Sequence, residues 1–308
     1  MKKILVTGGA GYKGSLLCPL LLERGYKVEI YDSFIWGVRP ILHFINHPDL
    51  TITKGDIRDK EKVARSVKKA DMVIHLAAIV GYPACSADPI GSETINVQGT
   101  LNVVNNMSKN QQLVFASTGS TYGRVDGVCD ETAPISPLTI YGRTKAESEK
   151  HVLDFGGVNL RFATVFGVSP RLRLDLLVND FCHKAYHYKY VVMFEGGHKR
   201  TFLHVLDSVK SYLTVIDNYE TMKQDTFNIG SSDMNYTKRD VAQMINKFQD
   251  FYIHEAAVGH DADQRDYHVS YAKIDKIGFK AQISLEDGIK ELLRVVPLIH
   301  ISDEWRNA

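Results

Sequence analysis

Short apolar runs recur along the first half of the chain, each ending in small or polar residues and each followed by a stretch with helical spacing. "KILVT", "KVEIYD", "LTITKGD", "DMVIHLAA" and "QLVFAST" read as buried strands. Between them, "GSLLCPLLLERG", "DKEKVARSVKKA" and "ETINVQGTLNVVNNMSK" read as helices. The first of these ends at Gly25 and carries Pro19, which is expected to kink it. A further helix, "YGRTKAESEKHVLDF", leads into a strand, "VNLRFATV". Such alternation predicts an α/β fold, a doubly wound parallel sheet with helices on both faces and its ligand at the carboxyl ends of the strands. After about Val165 the rhythm becomes irregular. Residues 1–164 are therefore expected to form the sheet domain, with later segments at about 204–229 returning to it. Residues 165–308 are expected to form mainly a smaller region that covers the crevice.

The chain has 308 residues, 44% of them hydrophobic and 24% charged, which is enough to bury a sizeable core and ordinary for a globular protein. Lys and Arg (37) balance Asp and Glu (36), so no overall attraction to nucleic acid or an anionic membrane is expected. The local basic cluster "SPRLRL" can still bind an anionic small molecule. Cys18, Cys85, Cys129 and Cys182 are scattered without zinc spacing, which predicts reduced thiols and no metal. The apolar run after the first Met is too short for a signal peptide, and none approaches the roughly 18 residues of a membrane span. A cytoplasmic protein is expected.

Three constellations carry chemistry. In "TGGAGYKG", Gly8, Gly11 and Gly14 lie three apart between a strand and a helix, and Asp32 follows 18 residues after the last. Bare backbone at a helix N-terminus lets N–H groups approach a pyrophosphate. A carboxylate closing the second strand suits the two ribose hydroxyls of an adenosine and would repel a 2′-phosphate, so NAD is expected rather than NADP. In "IYGRTKAES", Tyr141 and Lys145 are four apart, on one face of a helix. Tyrosine is a poor base with an unperturbed pKa of about 10, and a nearby ammonium favours its phenolate. In "LVFASTGSTYG", Ser117, Thr118 and Ser120 end a strand 21 to 24 residues before Tyr141. A hydroxyl there can either share a hydrogen bond with a substrate oxygen or simply cap the next turn.

Over nearly its whole length the chain resembles an extended short-chain dehydrogenase/reductase of the NAD-dependent epimerase/dehydratase family, which includes UDP-galactose 4-epimerase. "TGGAGYKG" matches the family's TGxxGxxG, although Lys13 replaces a usual apolar residue. The resemblance implies a Rossmann-type fold and a cofactor site that adds Tyr12, Lys13, Asp56, Ile57, Leu76, Ala77, Ala78 and Asn96 to the glycines and Asp32. It implies Thr118, Tyr141 and Lys145 as catalytic residues, with Tyr141 and Lys145 also touching the cofactor. On the substrate side, a nucleoside diphosphate sugar, it implies Thr118, Tyr141, Thr164, Asn179, Arg200 in "HKRTFLHVLD" and Arg265 in "DADQRDY". It also implies a homodimer that pairs the helices of Asn96 and Tyr141.

Two departures bear on the reaction. Thr164 stands where the galactose epimerase has an Asn touching the sugar nucleotide, and Gly119-Ser120 stand where sugar 4,6-dehydratases place Asp-Glu. Without those acids, the expected reaction is epimerisation at C4 through a transient 4-keto sugar. The alternatives are a dehydratase, a dehydrogenase or a 4-keto reductase of the same family, and a non-catalytic dinucleotide sensor. The intact Thr/Tyr/Lys set speaks against the sensor.

Overall fold

In a computed structural model, which describes residues 1–124, 127–257, 268–299 and 305–307, seven strands form one parallel sheet. In spatial order they are Asp225–Ile229, Val158–Phe162, Gln112–Thr118, Met72–His75, Lys3–Thr7, Lys27–Asp32 and Leu50–Lys54. The strand order reverses between Lys3–Thr7 and Met72–His75, and a crevice opens there at the carboxyl edge. Alternate residues feed two cores. Ile4 and Val6 pack with Leu17, Cys18 and Leu21 of the Gly14–Glu23 helix, while Leu5 packs with Val63, Val67, Val103 and Val152 on the other face. This is the Rossmann-type architecture.

The expected helices form, with local adjustments. The Gly14–Glu23 helix runs unbroken through Pro19, because Leu17, Cys18, Leu21 and Leu22 on either side of it are all buried. Chain turning at its end uses Gly25, whose φ of +79° is costly for residues with a Cβ. The stretch read as the helix "ETINVQGTLNVVNNMSK" contains a π-helical turn, Glu93–Gln98, before the regular helix Gly99–Val104.

"VNLRFATV" is two strands rather than one. Val158–Phe162 belongs to the large sheet, and the amide of Ala163 donates to Ile229 O at 2.9 Å. Thr164–Phe166 then pairs with Phe202–His204 in a separate three-stranded sheet. A third core forms around that sheet from the Leu177–His187, Lys238–Asn246 and Leu285–Val295 helices, with Phe166, Phe181, Phe202 and Ile289 inside it. Helix Val205–Asp217 and strand Asp225–Ile229 rejoin the large sheet.

A buried ion pair ties the long Ile140–Phe155 helix to the sheet. Arg161 Nε and Nη2 donate to the two Glu149 carboxylate oxygens at 2.9 and 2.7 Å, and both side chains are almost fully enclosed. The guanidinium also lies 4.6 Å from the Tyr122 ring centroid, and Tyr122 Oη donates to Asn228 Oδ1 at 2.7 Å. Removing one partner strands a buried charge. Arg161→Met is therefore expected to destabilise the protein by about 3–5 kcal/mol, read as a lower denaturant midpoint in urea unfolding.

Candidate active site

A cavity of about 400 Å³ opens at the carboxyl edge of the large sheet. Its floor is the glycine-rich turn. Gly8 has φ +71°, and a Cβ there would come within 2.8 Å of Ala77 N. A Cβ on Gly14 would come within 2.5 Å of Gly8 O. Thus the first glycine lets the Leu76–Ala77 backbone approach, and the last seats the helix start on the turn. The first amides of a helix have no intrahelical partner and face outward with the positive end of its dipole.

At the far end of this turn the Asp32 carboxylate accepts from Ala10 N at 2.9 Å and Phe34 N at 2.8 Å. Burial pushes its pKa up, and these backbone donors oppose the shift. Asp56, Ile57, Leu76, Ala77 and Ala78 line the same end. A backbone cradle at a helix N-terminus, with a carboxylate at the end of the second strand, fits NAD. These residues would hold it.

Asn96 does not line the cavity. It is buried in the π-helical turn and shapes the wall instead. Its Oδ1 accepts from Ile79 N at 2.8 Å, and its Nδ2 donates to Ile79 O at 3.0 Å and Thr144 Oγ1 at 3.1 Å. One amide thereby clamps the turn after Met72–His75 to the helix of Tyr141. Beneath it, His75 bridges Thr7 Oγ1 (2.6 Å) and Thr100 Oγ1 (3.0 Å). Burial lowers its pKa to about 3, so it is a neutral strut.

At the opposite end Thr118, Tyr141 and Lys145 face the cavity together. Thr139 caps the helix that carries the last two, accepting from Gly142 N at 3.1 Å. Thr118 caps the next turn and is also in the cavity lining. Its hydroxyl accepts from Ser120 N at 3.2 Å and donates to Ser120 Oγ at 3.2 Å. Lys145 is buried, with Nζ 4.0 Å from the Phe115 ring centroid. Burial pulls its pKa down to about 7, against the opposing pull of Glu149 one helical turn away and of Cys85.

Tyr12 and Lys13 complete the turn's lining. Tyr12 Oη donates to Gly167 O at 2.7 Å, Ser169 Oγ donates to Tyr12 O at 2.6 Å, and Ser15 Oγ lies 3.1 Å from Ser169 Oγ. The glycine turn is thereby latched to residues 167–169 of the second region. Lys13 Nζ sits 3.0 Å from the Phe162 ring centroid. Desolvation depresses its pKa well below the usual lysine range, and the charges of Lys145 and Arg173 add to this.

The substrate-side expectations divide. Thr164 lines the cavity. Asn179 does not: it is fully buried, accepts from Gly167 N at 3.0 Å, and donates to Gly167 O at 3.2 Å and Arg173 O at 2.9 Å. Its amide is used up in shaping that turn. Arg200 is buried in the Lys199–His204 strand and also lies off the cavity. Arg265 falls outside the described residues. Among the described residues three arginines line the cavity: Arg58, paired with Asp56, and Arg171 and Arg173, the basic cluster of "SPRLRL". Arg171 lies 4.2 Å from the Trp36 ring centroid, and Arg173 pairs with Asp175 at 2.6 Å. Charge density flagged these two in the sequence. Trp36, Phe162 and Asn307, also in the lining, carried no such signal.

Residues 4–230 match the NAD dependent epimerase/dehydratase family. An uncharacterized UDP-glucose epimerase of Bacillus subtilis is 31% identical over 93% of this chain and 95% of its own length. A UDP-glucose 4-epimerase of Corynebacterium glutamicum is 29% identical over 80% of each chain. The fold matches that of a Thermus thermophilus UDP-glucose 4-epimerase solved with NAD, with a TM-score of 0.82 at 24% identity over 96% of this chain and 99% of that one.

Asp32→Ala is expected to weaken NAD by about tenfold or more, the loss of charge-assisted hydrogen bonds. It should also erase the preference of NAD over NADP, both read by fluorescence titration of cofactor-free protein. An unaltered preference would contradict the assignment.

Proposed function

As a member of the NAD-dependent epimerase/dehydratase family the chain is an enzyme that uses NAD, and on that premise we propose that it inverts C4 of a nucleoside diphosphate sugar. The observation that carries this reading is the convergence of Thr118, Tyr141 and Lys145 on one cavity with the glycine cradle, and of no acid pair after Thr118. Bound NAD supplies the hydride acceptor and donor. Tyr141 takes the proton of the C4 hydroxyl and later returns it. Thr118 shares the hydrogen bond to the same oxygen, and the Lys145 ammonium favours the Tyr141 phenolate electrostatically.

Loss of water from C5 and C6 would need an acid and a base beside those carbons. Gly119 supplies no side chain, and Ser120 is engaged with Thr118. Asp175, an acid close by, is held by Arg173 through both oxygens at 3.2 and 2.6 Å. These features favour epimerisation over dehydration. Arg171 and Arg173 suit the sugar nucleotide's diphosphate, since guanidinium binds phosphate oxygens in pairs. The family resemblance supports a cytoplasmic homodimer joined through the Asn96 and Tyr141 helices, to be checked by sedimentation velocity. Among the described residues, no helix is long and apolar enough to cross a membrane.

Two measurements test the reading. Incubation with a panel of nucleotide sugars should give a product of unchanged mass, no net NADH and no solvent deuterium at C5 or C6, as resolved by NMR and mass spectrometry. Loss of one water would establish a dehydratase instead, and stoichiometric NADH a dehydrogenase. Tyr141→Phe should still bind NAD yet lose turnover by about a hundredfold or more, the contribution of a general base. A near-normal rate in that variant would rule out Tyr141 as the base.

A further inference from the structure

We infer that Lys13 makes the pocket selective for a nucleoside diphosphate sugar bearing a ring carboxylate, an inference that rests on the sugar-nucleotide reading above. The glycine turn needs only backbone at this position, and the family's usual side chain there is apolar. The lysine is therefore surplus to the cradle.

Its ammonium is placed at the reacting end of the cavity. It sits 3.0 Å from the Phe162 ring centroid, and Phe162 is the register partner of Thr118 across the two strands. The adenosine end is marked by Asp32, at the close of a strand on the other side of Lys3–Thr7. The pyrophosphate between the two ends is served by backbone amides and the helix dipole, which need no side chain.

Charge balance then sets the chemistry. Lys145 has Glu149 one turn along its helix, and Arg173 has Asp175 at 2.6 Å. Lys13 has no acidic partner among the described residues, and the charges acting on it are two further cations, Lys145 and Arg173. An enclosed ammonium without a counter-charge is disfavoured, and under a neutral sugar the amine sheds its proton instead. A carboxylate on the ring carbon next to C4 supplies the missing charge within the same cavity. Selection would come from the ion pair that only the acid can form with the protonated lysine.

The test uses the NAD-loaded full chain as wild type, Lys13→Met and Lys13→Arg, each titrated calorimetrically with UDP-glucuronic acid and with UDP-glucose. Sharing one nucleotide makes the ratio of the two affinities report the sugar alone. Wild type is expected to favour the acid by at least about tenfold, as one charge-assisted pair allows. Met should abolish the preference and Arg should keep it. Equal ratios in wild type and Lys13→Met would overturn the proposal, most directly if the Met variant instead bound NAD more weakly. Wild type that bound only UDP-glucose would overturn the proposal and leave the sugar-nucleotide reading standing. Binding of neither probe would remove both.

Discussion

The pairing of Glu149 with Arg161 is the contact on which both the fold and the site depend. It fixes the height of the Ile140–Phe155 helix against the strand beside Gln112–Thr118, and so helps set Tyr141 on the cavity that Thr118 also lines. Neither group is cheap to bury. Their attraction offsets the lost hydration only because the bidentate geometry is good and the Tyr122 ring lies against the guanidinium. The same carboxylate opposes the burial that draws the charge off Lys145. One structural ion pair thus holds the helix of Tyr141 in place and favours the charged form of Lys145.

Asn96 works in a similar way with a neutral group. Its amide spends its hydrogen bonds on the Ile79 backbone and Thr144, across two elements far apart in sequence. The π-helical turn around it brings the side chain to that point, a use of irregular helix common near functional sites. The large cavity is therefore walled by backbone that buried polar side chains hold still.

Much of this was legible in the sequence because it is local. Strands of the large sheet announce themselves as apolar runs, and the glycine turn, Asp32, Tyr141 and Lys145 depend on spacing within a few dozen residues. What was not legible depends on distant contacts. "VNLRFATV" carries no glycine or proline to mark its break. The break at Ala163 exists because Ile229 O claims its amide and Phe202 claims the next strand. Asn179 looks like a ligand contact until the Gly167 turn takes both of its amide atoms. Arg171 and Arg173 stand out as charge, but only the folding of residues 167–169 onto Tyr12 aims them at the cavity.

That last contact has a thermodynamic consequence. Tyr12 Oη, Tyr12 O and Ser15 Oγ join the glycine turn to the turn that precedes Arg171 and Arg173. A ligand that orders either turn lowers the conformational entropy still to be lost at the other. To the extent that each ligand orders its turn the two occupancies are linked, and linkage is reciprocal: whatever factor the dinucleotide adds to sugar affinity, the sugar adds to the retention of the dinucleotide. An enzyme that returns its hydride within each turnover gains from such coupling. Its cofactor is held most tightly at the moment when losing it would strand a half-finished sugar.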